Sequence, residues 1–239
     1  MEILNNKSFY DNLWQGIKVR DYKEYPEWQI LKKFIKPKDR LLEFGSGARP
    51  RLPFFASVFL DINGEAINRL KRLGANAMKS SLEGTSFPDQ YFDLVCGFDV
   101  LEHIEDDQRV LNEVRRILKS KGRFIFSVPL RESLYNEFDK TCGHIRRYEA
   151  KELVEKLSRA KLKIITVSEH GLRSKSQFID KIALFFLTRA PKFSIRVSDI
   201  FYGLFLKIAK KKIRLIEIDF LEKMLNMHGV LVVAEKQND

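Results

Sequence analysis

An acidic strand end followed by a glycine turn is one place in the sequence where chemistry could occur. Residues 41–49 have the sequence LLEFGSGAR, with Glu43 near the end of an apolar run and Gly45 and Gly47 after it. Glycine lets the backbone turn tightly beside a ligand because it has no side chain. A dinucleotide-binding loop would need a third glycine near Pro50, which is absent, and Glu43 would repel a diphosphate. The segment therefore indicates either a plain glycine turn or a site for a cationic ligand.

Two further segments put carboxylates at the ends of predicted strands. Asp61 closes the run 58–61, VFLD, where an acid can accept hydrogen bonds from both hydroxyls of a ribose or simply cap the strand. Residues 87–104, FPDQYFDLVCGFDVLEHI, lead from a turn into a buried strand. The end of that strand releases polar groups where open sheets bind ligands.

A loop after the predicted fifth strand, residues 141–148, has the sequence TCGHIRRY. His144 could act as a general base, because an unperturbed histidine has a pKa near neutrality. Arg146 and Arg147 could hold a carboxylate or phosphate of an acceptor through paired hydrogen bonds, with Tyr148 beside them. The alternative is that His144 and Tyr148 brace the loop and that the arginines are solvated.

The cysteines and histidines predict no metal site. The two cysteines form no CxxC pair, and the four histidines, which are His103, His144, His170 and His228, have no metal-ligand spacing. Such cysteine usage fits a reducing compartment. No apolar run has the length of a signal peptide or approaches the roughly 20 residues needed to span a bilayer. We therefore expect a cytoplasmic protein.

Short apolar runs alternate with helical patterns from Arg40 onwards. The predicted strands are 41–44, 57–60, 75–78, 92–96, 124–128, 162–167 and 229–234. The predicted helices are 26–34, 64–73, 104–118 and 150–160, the third closed by the basic and glycine residues 119–122. This alternation predicts an α/β fold with an open, mostly parallel sheet that is covered on both faces.

The composition fits one globular domain and excludes disordered, collagen-like and disulfide-scaffold classes. The chain has 239 residues, 44% of them hydrophobic, and a net charge of +11. Residues 172–225 hold about 12 Lys and Arg against about five Asp and Glu, with apolar residues at helical spacing. Such amphipathic, basic helices could lie in a membrane interface, cover an acceptor pocket or form a dimer interface.

The motifs LLEFGSG, FLDI, FPDQYFDLVCGFDVLEHI and LKSKGRFIFSVP together resemble those of the class I S-adenosylmethionine-dependent methyltransferases. The branch they resemble is often called methyltransferase type 11 and includes ubiquinone-biosynthesis-type enzymes. The resemblance implies S-adenosylmethionine as cofactor and a Rossmann-like, seven-stranded sheet whose last strand is antiparallel. It divides the chain into a helical cap (1–38), a cofactor-binding core (39–170), a basic helical insertion (171–226) and the last strand with a tail (227–239).

The resemblance also implies cofactor-binding residues. The residues that would contact the methionine portion and the sulfonium side are Glu43, Gly45, Ser46 and Gly47. Asp61 would hold the ribose hydroxyls and Ile62 would pack on the adenine. Ser81 and Leu82 stand at the adenine edge, where the family usually has an acid in the place of the serine, so this contact would be weaker. The methyl-donor pocket would be lined by Phe98 and Asp99.

The acceptor is expected to be a small or lipid-linked molecule, with an anionic one among the candidates. The protein could also contact an anionic membrane surface. The strand end at residues 96–99 has neither the Asn/Asp-Pro-Pro-aromatic element that holds a flipped base nor a Pro-Cys nucleophile. Nucleic acid is therefore an unfavoured partner. The alternatives are an RNA- or protein-directed methyltransferase, which the positive charge alone favours, and a non-catalytic protein that binds the cofactor and a partner.

Overall fold

The structure is a computed structural model, and it describes residues 6–171, 206, 215–216 and 220–238. Its centre is a seven-stranded sheet with the strand order β3-β2-β1-β4-β5-β7-β6. The strands are β1 Leu41–Phe44, β2 Ser57–Asp61, β3 Asn76–Lys79, β4 Phe92–Phe98, β5 Leu118–Pro129, β6 Leu162–Glu169 and β7 Gly229–Lys236. Strand β7 runs antiparallel to both β5 and β6, while the pairs among β1 to β5 are parallel. The predicted seven-stranded α/β sheet is confirmed.

Helices cover both faces of the sheet. They are α1 Asn6–Gly16, α2 Trp28–Phe34, α3 Gly64–Arg72, α4 Asp107–Ile117, α5 Glu137–Cys142, α6 Ala150–Arg159 and α7 Phe220–Met224. Short 3-10 turns occupy Tyr22–Glu24, Leu101–His103 and Glu132–Leu134. Helix α4 illustrates the pattern, because the Asp106 side chain caps its first turn and Val110, Val114 and Ile117 bury one face in the core.

The order of the strands fixes where a ligand can bind. The chain builds β1, β2 and β3 outward in one direction and then returns to place β4 on the other side of β1. The connections therefore diverge between β1 and β4, and open α/β sheets bind ligands outside the carboxyl ends of the strands at such a point. The glycine turn follows β1, Asp61 ends β2 and Asp99 follows β4, so all three stand at this edge.

Strand β5 begins earlier than the sequence pattern predicts. Helix α4 ends at Ile117, and Leu118 already pairs with Phe92 of β4. Residues 119–122, expected to close the helix, instead belong to β5. The register with β4 shifts between Phe92 and Leu94, and Lys121 has a φ of 59°. Pairing with β4 across this irregularity outweighs the local helix-ending signal.

Little of the predicted insertion 171–226 lies within the described residues. Among those that do, Ile216 forms an antiparallel bridge with Val167 of β6, with N–O distances of 2.8 and 3.1 Å. Leu206 is buried, and α7 precedes β7. The amphipathic helices predicted for 172–225 otherwise fall outside the described part of the chain. Within that part, no helix has both the length and the apolar character needed to cross a bilayer.

Candidate active site

The glycine turn and the end of β2 are joined by backbone-to-carboxylate hydrogen bonds. Gly45 and Gly47 have φ values of 64° and 53°, in the left-handed region that glycine adopts readily. The Gly47 N–H donates to one carboxylate oxygen of Asp61 at 2.8 Å, and the Asn63 N–H donates to the other at 2.8 Å. Each carboxylate oxygen has two lone pairs, so Asp61 can still accept hydrogen bonds from a ligand. Burial raises the pKa of Asp61, and the backbone donors oppose this effect.

Helix α1 closes one side of the turn. A Cβ atom on Gly47 would lie 2.2 Å from the Trp14 ring, so the indole lies directly against the glycine backbone. The guanidinium of Arg69 on α3 donates to the carbonyls of Trp14 and Ile17. The Asn63 amide donates to Asp11 at 2.7 Å. These contacts attach the helix predicted as a cap to the residues that border the turn.

Glu43 holds the chain after the turn. Its carboxylate accepts hydrogen bonds from the backbone N–H groups of Arg51, at 2.8 and 3.1 Å, and Leu52, at 3.0 Å. The residue is 1% exposed. Burial raises its pKa to about 7, although Arg51 and these backbone donors act in the opposite direction. Its predicted contact with the sulfonium side of the cofactor stays a prediction; the hydrogen bonds give it a structural role in addition.

The residues predicted for the adenine side differ widely in exposure. Ile62 is 73% exposed beside Asp61, whereas Leu82 is buried in the core. The Ser81 hydroxyl donates to the Glu83 carboxylate at 3.1 Å and accepts from the Glu83 N–H at 3.2 Å. The family pattern has an acid at position 81, where this chain has a serine, and the acid Glu83 lies two residues later. Because only position 81 was compared with the family pattern, Glu83 was not identified from the sequence.

Asp99 follows β4 with a φ of 54°, which is unusual for a residue other than glycine. Ser127 of β5 donates its hydroxyl to Asp99 at 2.8 Å, and the Asp99 N–H donates to the Ser127 carbonyl at 3.1 Å. The Nε2 of His170 lies 3.2 Å from the other carboxylate oxygen. Partial loss of hydration would raise the pKa of Asp99, but His170 and Ser127 hold it below its usual range. The Asp99 side chain is 47% exposed, and its neighbour Phe98 is buried.

His170 links Asp99 to a second buried acid. Its Nδ1 lies 3.8 Å from a carboxylate oxygen of Glu27, which is buried at the start of α2. Burial lowers the pKa of His170, but Asp99 outweighs that effect and raises it. Arg51 lies over the ring of Tyr25 at 4.5 Å and approaches Glu27. The sequence pattern did not single out this group, because its members lie on four separate segments.

The residues of the loop 141–148 are held by two buried aspartates. Arg147 pairs with both carboxylate oxygens of Asp139, at 2.9 and 3.1 Å, and the Nδ1 of His144 lies 2.9 Å from the same carboxylate. Asp107 accepts from Arg146 at 3.0 Å and from the Tyr148 hydroxyl at 2.7 Å. These pairs favour a bracing role for the loop, and the binding of an acceptor by its arginines stays a prediction.

His144 meets two neighbours that sequence spacing did not connect with it. Its ring is 4.8 Å from the His103 ring, and its Nε2 lies 3.8 Å from Glu102, which is completely buried. Tyr10 of α1 packs edge-on against His103 at 6.0 Å and donates to the Cys142 carbonyl at 3.1 Å. Burial, together with His144, lowers the pKa of His103 to about 4.

A family model described as a methyltransferase domain matches residues 20–167, more than half of the chain. The chain belongs to this methyltransferase family. Solved structures agree in fold: an S-adenosylmethionine-dependent methyltransferase of Thermotoga maritima, described as a possible histamine N-methyltransferase, gives a TM-score of 0.60 at 18% identity and covers 90% of each chain. The YcgJ protein of Bacillus subtilis gives 0.61 at 15% identity, covering 90% of this chain and 99% of that one.

Curated relatives of this methyltransferase match over shorter stretches. An uncharacterized protein of Methanocaldococcus jannaschii is 40% identical over 114 residues, which are 45% of this chain and 49% of that protein. The ubiquinone/menaquinone biosynthesis C-methyltransferase of Vibrio cholerae is 27% identical over 129 residues, 46% of this chain and 50% of that protein. The chain thus spans about half the length of each.

The class I methyltransferase fold implies S-adenosylmethionine as cofactor, and the residues at the switch between β1 and β4 fit this molecule. Two glycines with positive φ turn the backbone at the carboxyl end of β1, where the side chains of Val100 and Trp14 pack against Gly45 and Gly47. The carboxylate of Asp61 keeps acceptor capacity for ribose hydroxyls. Asp99 adds negative charge at the end of β4, which suits a sulfonium.

Proposed function

We propose that this methyltransferase transfers a methyl group from S-adenosylmethionine to a small-molecule or lipid-linked acceptor. The observation that carries the proposal is the hydrogen bond between the Gly47 backbone and Asp61, which joins the glycine turn to the acid that would hold the ribose. When bound, S-adenosylmethionine supplies a methyl group on an already activated sulfonium. The residues of the chain then need to align the acceptor and to exclude water.

Two groups of residues serve these needs in the proposal. Helix α1 excludes water from one side of the cofactor site through Trp14 and Tyr10. His144 faces the acceptor; because Asp139 occupies its Nδ1, its Nε2 is available to take a proton from the acceptor. A curated relative named a ubiquinone/menaquinone biosynthesis C-methyltransferase offers a precedent for a small-molecule acceptor.

Calorimetry with S-adenosylmethionine tests the cofactor site. The Asp61→Asn variant should bind about 10- to 100-fold more weakly than the native chain, because an amide loses the charge and presents a donor toward the Gly47 or Asn63 N–H. The exposed Glu155→Gln variant is the control and should bind like the native chain. Absence of binding by the native chain would contradict the proposal.

The lipid-linked part of the proposal rests on the basic, amphipathic sequence of residues 172–225, which carries a net charge of about +7. We expect the protein to float with vesicles that contain anionic phosphatidylserine at low salt and to detach as salt screens the charges. Vesicles of phosphatidylcholine alone are the control. Failure to bind the anionic vesicles would remove membrane contact and leave a water-soluble small molecule as the acceptor.

A further inference from the structure

Glu102 is a buried carboxylate that the fold does not use. It follows β4 in the 3-10 turn Leu101–His103 and is 0% exposed. Neither of its carboxylate oxygens has a hydrogen-bond partner among the described residues. By contrast, the buried Glu43, Asp107 and Asp139 each accept two or more hydrogen bonds. A buried polar group without a partner is costly, and a ligand bound to the Glu102 oxygens would offset that cost.

The two histidines beside Glu102 are both oriented by their Nδ1 atoms. The Nδ1 of His103 lies 3.0 Å from the Gly143 carbonyl, which can only accept, so this nitrogen carries the hydrogen. The Nδ1 of His144 meets the Asp139 carboxylate at 2.9 Å in the same manner. In the neutral rings, both Nε2 atoms therefore present lone pairs. Histidines that bind metals are commonly oriented in this way: the ring nitrogen that does not bind the metal donates a hydrogen bond to a carbonyl or carboxylate.

The geometry points to a divalent metal site formed by Glu102, His103 and His144. One ligand atom from each residue lies within 4.8 Å of the other two. The Nε2 of His144 is 3.8 Å from the Glu102 oxygen, and ligand atoms around a tetrahedral ion with bonds of about 2.0–2.1 Å are roughly 3.3 Å apart. Small side-chain movements would complete the site. Two imidazoles and one carboxylate suit Zn²⁺, Fe²⁺, Co²⁺ or Mn²⁺ better than Mg²⁺ or Ca²⁺.

Three protein ligands leave at least one coordination position open, as in metal sites that act on substrates. The His144 side chain is 14% exposed, which gives the position a route to solvent. A hydroxyl oxygen of the acceptor bound there would lose its proton more readily, and the proton would pass to water. This inference rests on the proposed function and deepens it: the acceptor presents an oxygen, and His144 acts as a metal ligand in place of a general base.

Metal binding can be measured without any acceptor. The chain is stripped with chelator and titrated with Co²⁺ followed by visible absorption, and Zn²⁺ is then added in competition. The native chain should bind one Co²⁺. Glu102→Gln and His144→Ala should each weaken binding at least about 10-fold, and Asp139→Asn should weaken it by releasing His144. His228→Gln, which alters a histidine outside the cluster, is the matched control. Equal binding by all variants, or none by the native chain, would overturn the inference.

Thermal unfolding provides a second readout and reports folding of each variant. Zn²⁺ should raise the Tm of the native chain and leave that of Glu102→Gln unchanged. In chelator, Glu102→Gln should be about as stable as the native chain, because the amide has nearly the shape of a carboxyl group that makes no side-chain hydrogen bond within the described residues. If Glu102→Gln is less stable than the native chain in chelator, Glu102 has a structural partner, and this result would contradict the metal site. S-adenosylmethionine binding without metal binding refutes this inference alone, whereas metal binding without cofactor binding refutes the proposed function.

Discussion

Several acidic side chains predicted from their positions at strand ends also hold the backbone in place. Glu43 accepts from the segment after the glycine turn, and Asp61 accepts from the turn itself. A carboxylate at a strand end has the same sequence signature whether it faces a ligand, a neighbouring N–H group or both. The sequence therefore located these residues at the correct edge of the sheet but could not reveal their partners. Those partners depend on loops that follow other strands.

Glu43 should make the stability of the protein depend on pH. Its folded-state pKa of about 7 exceeds the ordinary value of 4.5, so the folded state binds the proton more tightly than the unfolded state. Its contribution is complete below the unfolded pKa and is lost as the pH rises through 7, by up to about 3 kcal/mol. Urea unfolding at pH 5 to 8 should show this decline in the native chain and a flatter profile in Glu43→Gln.

The control for this experiment is Glu155→Gln, which alters an exposed glutamate. It should keep the native slope between pH 5 and 8. An identical slope in Glu43→Gln and the native chain would show that another group causes the pH dependence. Absolute stability is a poorer readout, because the amide introduced by Glu43→Gln has one acceptor oxygen where the carboxylate has two.

The apolar runs in the sequence predicted which helices and strands exist better than they predicted how these elements pack against one another. Strand β1 has its predicted bounds, and β2, β3, β4 and β6 differ by one or two residues at their ends. The early start of β5 depends on pairing of Leu118 with Phe92, which local periodicity does not contain. The same holds for α1. The family resemblance predicted a helical cap over residues 1–38, but the contacts of α1 with Gly47 and Arg69 join residues more than 30 positions apart.

The close contact between α1 and the glycine turn makes Gly47 sensitive to substitution. Gly47→Ala should be destabilised by about 1–2 kcal/mol from its φ of 53° and by a further 1–3 kcal/mol from the clash with Trp14. Gly74→Ala isolates the first effect, because Gly74 has a φ of 82° and its nearest neighbour, Phe55, would lie at an ordinary 3.4 Å. Chemical unfolding measures both variants.

A double-mutant cycle isolates the second effect. Trp14→Ala in the Gly47→Ala background should cost less than Trp14→Ala in the native chain, because removing the indole there also relieves the clash. The difference should reach about 1 kcal/mol or more. Additive effects of the two substitutions would show that the indole does not lie against the turn.

For the chain as a whole, the succession of strands and helices predicted an open, mostly parallel sheet, and the family resemblance predicted its seven strands and its antiparallel last strand. Neither could predict which distant side chains come together. The Glu102–His103–His144 group joins residues 41 positions apart, and His170 reaches Asp99 across 71 positions. Such contacts follow from the packing of complete elements. The basic insertion stays a prediction, because most of it lies outside the described residues.

Cofactor binding should stabilise the folded protein globally. At a concentration 100-fold above its Kd, S-adenosylmethionine adds about 2.7 kcal/mol to the free energy of unfolding. For a domain of this length, that increment raises the Tm by about 5–10 °C. Differential scanning fluorimetry should detect this shift in the native chain and in Glu155→Gln, and a much smaller one in Asp61→Asn at the same cofactor concentration. Equal shifts in all three proteins would exclude Asp61 from the binding site.

The antiparallel β7 lies between β5 and β6, and within the sheet β6 pairs with β7 alone. On the ribosome, β6 is therefore synthesised before its partner strand β7. It stays without that partner until the nascent chain has been extended from Glu169 to Lys236. At 5–20 residues per second this interval lasts roughly 3 to 13 s. Throughout it, one edge of β5 stays unpaired and open to association with other chains. Chaperone capture during synthesis would accordingly act on this half of the sheet.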